Sequence, residues 1–260
     1  MTAAIVLLPF AWPLQPVSFP SACSAGSVAW RAVHVLEGEW DFAFVRGYNA
    51  SATTSLDGID FNRKQAVPAA WDAAWGTGLQ YERGAGVYRT KVTVTPGKPL
   101  ALHFAACSLF CRVYVDGELR HNHTLGGFTP FWVPLPPSES HTRELIVLSS
   151  NNFSLDLTPT QEERYDFYQF GGLIRSVCLH ELPAAAPSIQ RVDVLPLAKA
   201  GSGVPSGAVN VTVVMHDAAP GAADAVELEF GFDCSVGCSG GFRGRYPIIN
   251  GSVFLPAVSV

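Results

Sequence analysis

Short runs of alternating apolar and polar residues recur along this sequence, and they constrain its fold more than any other feature. Residues 88–94, 100–104 and 111–115 place apolar side chains at nearly every second position, which is the period of a half-buried β-strand. Asp116-Gly117 follows the third run and is typical of a tight hairpin. No segment keeps an apolar period of 3.6 residues, so we expect at most short helical turns. The pattern predicts an all-β sandwich.

The composition agrees with a folded β-protein and excludes several classes of partner. Hydrophobic residues make up 48% of the 260 residues, which is enough to bury a core and to exclude disorder. The formal charge is only -5 and no basic cluster occurs, so we predict no nucleic-acid partner. No apolar stretch reaches the ~18 to 20 residues that a membrane span needs.

A Pro- and Ala-rich stretch at 182–187 is typical of a stiff connector and divides the chain. We predict a first domain over 31–183 and a second over 187–260. The second piece has about 74 residues, whereas an immunoglobulin-like sandwich usually needs about 100. We therefore expect a partial sandwich with an exposed edge.

The N-terminal segment 1–30 carries no charge and contains a short apolar run followed by several prolines. Two interpretations stay open: a signal peptide cleaved near Ala25, or an extended arm. Five asparagines match the N-x-S/T glycosylation pattern and, with six cysteines, favour the secretory pathway with a lysosomal or extracellular destination. These candidate glycosylation sites are Asn49, Asn122, Asn152, Asn210 and Asn250.

The cysteines suggest disulfides rather than a metal site. Cys234 and Cys238 flank a small loop and are a candidate pair. Cys107 and Cys111 would lie roughly 13 Å apart along a strand, too far to bond unless the chain turns between them. No histidines follow at zinc-finger spacing. His121-x-His123 lacks a third ligand and is interpreted as solvated, so we predict no metal and no cofactor.

Five motifs follow one another along the first part of the chain. They are Leu36-x-Gly38-x-Trp40-x-Phe42, Val67-Pro68-x-x-Trp71, Gly86-Val87-Tyr88-Arg89, Val113-Tyr114-Val115-Asp116-Gly117 and Gly126-Gly127-Phe128-Thr129-Pro130-Phe131. In this order they resemble the sugar-binding domain of family 2 glycoside hydrolases of the β-glucuronidase/β-galactosidase type. The segment 165–177, called here the closing motif, resembles the β-glucuronidase version most specifically. The resemblance implies a jelly-roll sandwich followed by part of an immunoglobulin-like sandwich.

By that resemblance, Asp166 reaches the active site and hydrogen-bonds the sugar. A carboxylate accepts two hydroxyl groups through strong charge-assisted bonds. The flanking Tyr165, Phe167 and Tyr168 would offer apolar faces to a pyranose ring. The alternative is that Asp166 caps nearby amides in a loop.

Three further residues of the closing motif are expected to support the site. We expect Arg175 to form a structural salt bridge, with Asp166 or with a carboxylate of another domain. Gly171 and Gly172 are expected to supply a tight turn with positive φ.

The chemistry of the family lies on a separate (β/α)₈ barrel that holds two carboxylates about 5 to 5.5 Å apart. This sequence has neither a strand–helix repeat nor the Asn-Glu pair of the acid/base residue. We therefore expect the carbohydrate-binding N-terminal part of a β-glucuronidase-like hydrolase, inert alone, whose sugar is glucuronide or galactoside-like. Its partner would be a catalytic barrel module in a longer chain, or a second copy. The alternatives are a free-standing glycan-binding module and a structural subunit.

Overall fold

The computed structural model describes residues 3–7, 23, 31–48, 56–73, 78–152, 168–184, 186–197, 208–216, 224–233 and 239–259. These ranges contain strands and no helix, so the predicted all-β fold class is confirmed. No helical segment suited to crossing a membrane is found among them. The chain divides into two compact units, one over 20–182 and one over 183–260 together with 1–19.

The strands follow one another as β1 (Ala3–Leu7), β2 (Ala32–Val35), β3 (Gly38–Arg46), β4 (Arg63–Val67), β5 (Gly84–Thr93), β6 (Leu100–Phe104), β7 (Phe110–Val115), β8 (Glu118–His123), β9 (Phe131–Leu135), β10 (Thr142–Ser150), β11 (Val177–Glu181), β12 (Ile189–Leu197), β13 (Ala208–Met215), β14 (Ala225–Asp233), β15 (Ser239–Pro247) and β16 (Ser252–Ser259). In the first unit they form two antiparallel sheets. One has the order β4-β3-β5-β10-β7-β8 and the other the order β2-β11-β6-β9.

The main core lies between these two sheets. Side chains at alternate strand positions face it, including Phe42 of β3, Tyr88 of β5, Leu102 of β6 and Leu179 of β11, all fully buried. Burying an aliphatic or aromatic side chain of this size contributes roughly 1.5–3 kcal/mol, so the period of two found in the sequence drives the sandwich.

The six-stranded sheet is also covered on its other face. Val87, Ile146 and Leu148 pack there in a second cluster, against half-buried residues of the 56–61 segment. Strands β5 and β10 therefore lie at the centre of the sheet with both faces buried. This explains why residues 145–148 form a continuous apolar run instead of an alternating one.

The hairpin predicted at Asp116-Gly117 joins β7 to β8. Both residues have positive φ, 52° and 82°, as the type I′ turn requires. On β8, His121 and His123 are half-buried, and their rings stack on the Phe131 ring with centroids 5.1 and 4.0 Å away. These histidines are therefore only partly solvated, because Phe131 of β9 supplies an aromatic surface for them, and the expectation that they bind no metal stays a prediction.

The second unit is a smaller sandwich of two three-stranded sheets, β12-β13-β16 and β1-β14-β15. The sheets share one core, to which β13 contributes Val213, β14 contributes Leu228 and β16 contributes Val253. Strand β1 from the N-terminal segment pairs in parallel with β14, an addition that the sequence did not reveal. The predicted pair Cys234–Cys238 lies outside the described residues.

Two disulfides tie the first unit together, Cys23–Cys178 and Cys107–Cys111. The second joins residues expected to be roughly 13 Å apart, yet their Cα atoms are only 6.2 Å apart. The strand assumed for this segment is wrong at its start, since β7 begins at Phe110 and the chain turns over residues 107–109 before it.

Removing the two disulfides should destabilise the first unit unequally. Loop-closure entropy predicts a loss of about 5 kcal/mol for a Cys23→Ser/Cys178→Ser variant, whose crosslink spans 155 residues. The Cys107→Ser/Cys111→Ser variant, with a separation of 4, should lose only about 2 kcal/mol. Denaturant unfolding under non-reducing conditions measures both, and equal losses would contradict the expectation.

Candidate functional site

The closing motif is described from Tyr168 onward, and its predicted sugar-contacting residues Tyr165, Asp166 and Phe167 lie outside the described residues. Residues 168–170 are half-buried. Their surroundings show what holds the motif in place.

A fully buried carboxylate, Asp72, anchors the motif. It accepts hydrogen bonds from the Gly171 backbone N–H at 3.0 Å, from the Tyr168 hydroxyl at 3.1 Å and from Asn151 Nδ2 at 2.7 Å. Asp72 directly follows Trp71 of the Val67-Pro68-x-x-Trp71 motif. This arrangement therefore joins three separate stretches of sequence through one side chain.

Burial and hydrogen bonding act on the Asp72 carboxyl in opposite directions. Burial raises its pKa, and the three donors lower it. Burial dominates, so the pKa of Asp72 lies above its usual range. The pKa of the Tyr168 hydroxyl is raised as well, first by burial and then by the nearby Asp72 charge, which keeps this hydroxyl a donor to Asp72.

Arg83 fixes the motif from its other side. Its guanidinium donates hydrogen bonds of 2.9 Å to the carbonyls of Asn151 and Gln169, and it lies over the Tyr168 ring at 4.3 Å. Asn151 in turn accepts a hydrogen bond from the Gly84 backbone N–H. The motif is thus bound to the start of β5 and the end of β10.

Three aromatic rings form a cluster at this end of the unit. The Tyr168 ring meets the rings of Tyr81 and Phe170 edge to face, with centroids 4.9 and 4.8 Å away. Tyr81 is 58% exposed and holds a left-handed backbone with φ 58°, which few non-glycine residues adopt. Such conformations persist where the surrounding structure enforces them, often at binding sites.

The two glycines of the motif serve different purposes. Gly172 has φ 135°, in agreement with the expected positive φ. Gly171 has no such angle, but a Cβ placed on it would lie 1.9 Å from the Trp71 ring. Glycine is required at 171 because the Trp71 ring packs directly against the backbone.

The rest of the motif is tied to the loops beside it. Ser108 donates a 2.6 Å hydrogen bond to the Phe170 carbonyl, and its backbone pairs with Gly172. Arg175 is exposed and donates to the Phe128 carbonyl at 3.0 Å, within the Gly126–Phe131 motif. The observed contact of Arg175 is therefore a link between two motifs, while its expected salt bridge stays a prediction.

The candidate glycosylation sites differ in their surroundings. Asn122 on β8 and Asn250 in the turn before β16 are exposed, whereas Asn152 and Asn210 are half-buried. The Asn152 side-chain amide donates to the Tyr48 carbonyl, so its nitrogen is engaged. Asn49 lies outside the described residues, and glycosylation at all five stays a prediction.

Sequence reasoning missed most of the residues that build this site. Asp72, Arg83, Asn151 and Tyr81 stand in no pattern that marks them as neighbours of the closing motif. The available signal was the position of Asp72 beside Trp71, since a carboxylate next to a buried tryptophan needs partners.

Replacing Gly171 by Ala should destabilise the first unit, because the new methyl group overlaps the Trp71 ring. Overpacking of this kind costs ~3 kcal/mol or more. Gly231→Ala, at a position with no atom within 4 Å, should change stability by less than about 0.5 kcal/mol. Thermal unfolding of both variants tests this, and a Gly171→Ala protein as stable as the wild type would refute the packing argument.

Asp72→Asn should remove a pH-dependent contribution to stability. Because the folded-state pKa of Asp72 is raised, its contribution is full below the ordinary value of 3.8 and declines as the pH rises through the folded-state pKa. The difference in free energy of unfolding, wild type minus variant, should therefore fall between pH 4 and neutrality. Denaturant titrations across this range measure it, with the exposed Asp60→Asn as the control, and a difference that grows with pH would contradict the assignment.

Known proteins similar to this chain are found both by sequence and by fold. No protein-family model matches the chain. A protein of Formosa agariphila that carries the name "Putative beta-glucuronidase" is 26% identical over 123 residues, which cover 45% of this chain and 15% of that protein.

Solved structures extend the match to most of the chain. The family 2 β-galacturonidase of Eisenbergiella tayi bound to galacturonate is 18% identical, with a TM-score of 0.61, over 88% of this chain and 37% of that one. The Bifidobacterium dentium β-glucuronidase complexed with coumarin-3-O-glucuronide is 20% identical, with a TM-score of 0.58, over 90% and 44%. The chain thus spans less than half the length of these relatives. Its resemblance to family 2 glycoside hydrolases of the β-glucuronidase type, predicted from the motifs, is confirmed at the level of the fold.

Proposed function

We propose that this chain is the carbohydrate-binding portion of a β-glucuronidase-like glycoside hydrolase, and that it binds sugar at the closing motif without cleaving it. The observation that carries this proposal is the anchoring of Tyr168 and Gly171 by the buried Asp72. The anchored residues closely follow Asp166 in the sequence.

The aromatic cluster supports a sugar as the ligand. Tyr81, Tyr168 and Phe170 together offer apolar ring faces beside polar hydroxyl groups, and this combination suits the mixed apolar and polar surface of a pyranose. The Arg83 guanidinium stacks on the Tyr168 ring and keeps it from turning. The rings are therefore ordered before a ligand arrives, which lowers the entropy cost of binding.

Asp166 is the proposed hydrogen-bonding residue. It stands two residues before Tyr168, so the chain itself limits the separation of their Cα atoms to about 7 Å. We propose that the Asp166 carboxylate accepts hydrogen bonds from hydroxyl groups of a sugar stacked on this cluster. Glucuronide or a galactoside-like sugar is the proposed ligand class, because the matched structures are named for uronic acid substrates.

The environment of Asp72 supports the proposal that the chain binds sugar without cleaving it. Asp72 is fully buried, and its oxygens are occupied by three donors, so it is not positioned to attack a sugar. Retaining glycosidases need two accessible carboxylates about 5 to 5.5 Å apart. We propose that such a pair belongs to a separate barrel module, as the family resemblance implies.

Binding of phenyl β-D-glucuronide to the purified chain, followed by ligand-observed NMR, tests the proposal. The wild type should bind weakly, and Asp166→Ala should weaken binding at least about tenfold through loss of a charge-assisted hydrogen bond. Tyr81→Ala should also reduce binding. Incubation with a chromogenic glucuronide should give no product.

Matched controls separate the site from general effects. Phe254→Ala removes an equally exposed aromatic ring, 58%, in the second unit, and Asp224→Ala removes an exposed carboxylate there. Both variants should bind like the wild type. Binding that survives Asp166→Ala, or hydrolysis by the chain alone, would overturn the proposal.

A further inference from the structure

The outer face of the four-stranded sheet carries a cluster of sulfur and nitrogen ligands that the sugar site does not use. Cys178 of β11 lies directly opposite His103 of the neighbouring strand β6. His180 follows two residues later on the same face of β11. Cys23, from the N-terminal part of the chain, lies beside His103 and Cys178 on this face.

Two distances within this cluster match the separation of ligand atoms in a tetrahedral metal centre, and His180 joins the cluster through its contact with Cys178. Cys23 Sγ is 3.8 Å from His103 Nδ1, and Cys178 Sγ is 3.3 Å from His180 Nε2. The ligand atoms of Cys23, His103 and Cys178 all lie within 4.8 Å of one another. Zinc bonds of about 2.0–2.3 Å place tetrahedral ligand atoms roughly 3.3–3.8 Å apart.

All four side chains are shielded from solvent. Their residues are 0–6% exposed. The Trp132 ring closes one side, with centroids 4.5 Å from His103 and 4.9 Å from His180. A closed set of two thiolates and two imidazoles is the chemistry of a structural zinc site.

We propose that Cys23, His103, Cys178 and His180 form a binding site for Zn²⁺ that is available when the Cys23–Cys178 disulfide is reduced. The disulfide and the metal-bound pair are mutually exclusive states, because each sulfur either bonds to the other or ligates the ion. Both states tie the same N-terminal residue to β11.

Reduction of the disulfide precedes metal binding. A phosphine reductant breaks the S–S bond, supplies two electrons and becomes the phosphine oxide with an oxygen atom from water. The two protons of that water end on the two sulfurs. Binding of Zn²⁺ then forms two Zn–S bonds and releases both thiol protons.

Co²⁺ titration of the full chain, reduced with a phosphine, tests this site. We expect one Co²⁺ per chain, with the visible absorption of tetrahedral thiolate coordination, and displacement of Co²⁺ by Zn²⁺. The oxidised chain should show no such absorption. Loss of a residue that only supports a metal ligand weakens metal affinity roughly 10–100-fold. His103→Gln removes a ligand itself and should weaken Zn²⁺ affinity by more than that.

Control variants assign the signal to these residues. Cys107→Ser/Cys111→Ser and Cys234→Ser/Cys238→Ser remove every other cysteine and should leave the Co²⁺ spectrum unchanged. His180→Gln should shift the spectrum by replacing one nitrogen ligand, with folding checked by circular dichroism. Absence of tetrahedral Co²⁺ in the reduced, folded chain, or an unchanged spectrum in His103→Gln, would overturn the proposal.

Discussion

The contact of Asp72 and Trp71 with the closing motif is the constraint on which the site depends. The Trp71 ring occupies the space that a side chain at Gly171 would need, and Asp72 accepts the Gly171 backbone N–H. A buried carboxylate is costly unless donors surround it. Three donors from two separate parts of the chain, Asn151 and the closing motif, surround Asp72, and each is thereby fixed in place.

This arrangement explains why motifs that are far apart in the sequence occur together. The Val67–Trp71 motif meets Gly171, the turn at Ser108 meets Phe170 and Gly172, and the Gly126–Phe131 motif meets Arg175. These motifs lie at the ends of strands from both sheets. The sandwich provides the rigid support, and the loops at one end carry the proposed sugar contacts.

The outer face of the four-stranded sheet stabilises the fold and carries no proposed sugar contact. The cysteines and histidines on this face are not part of the aromatic cluster of Tyr81, Tyr168 and Phe170. The disulfide, or the proposed metal in its place, holds Cys23 against β11. One fold thus separates a stabilising crosslink from a binding surface.

The period of two along the chain determined the all-β class, and the Asp116-Gly117 pair determined one hairpin, because both depend on neighbouring residues. The motif order also predicted the resemblance to family 2 hydrolases. Only the tertiary structure decided that Asp72, Arg83 and Asn151 surround Tyr168, that Cys107 and Cys111 meet across a turn, and that Cys23 lies beside His103. These contacts join residues up to 155 positions apart, and a local pattern holds no information on which distant strands become neighbours.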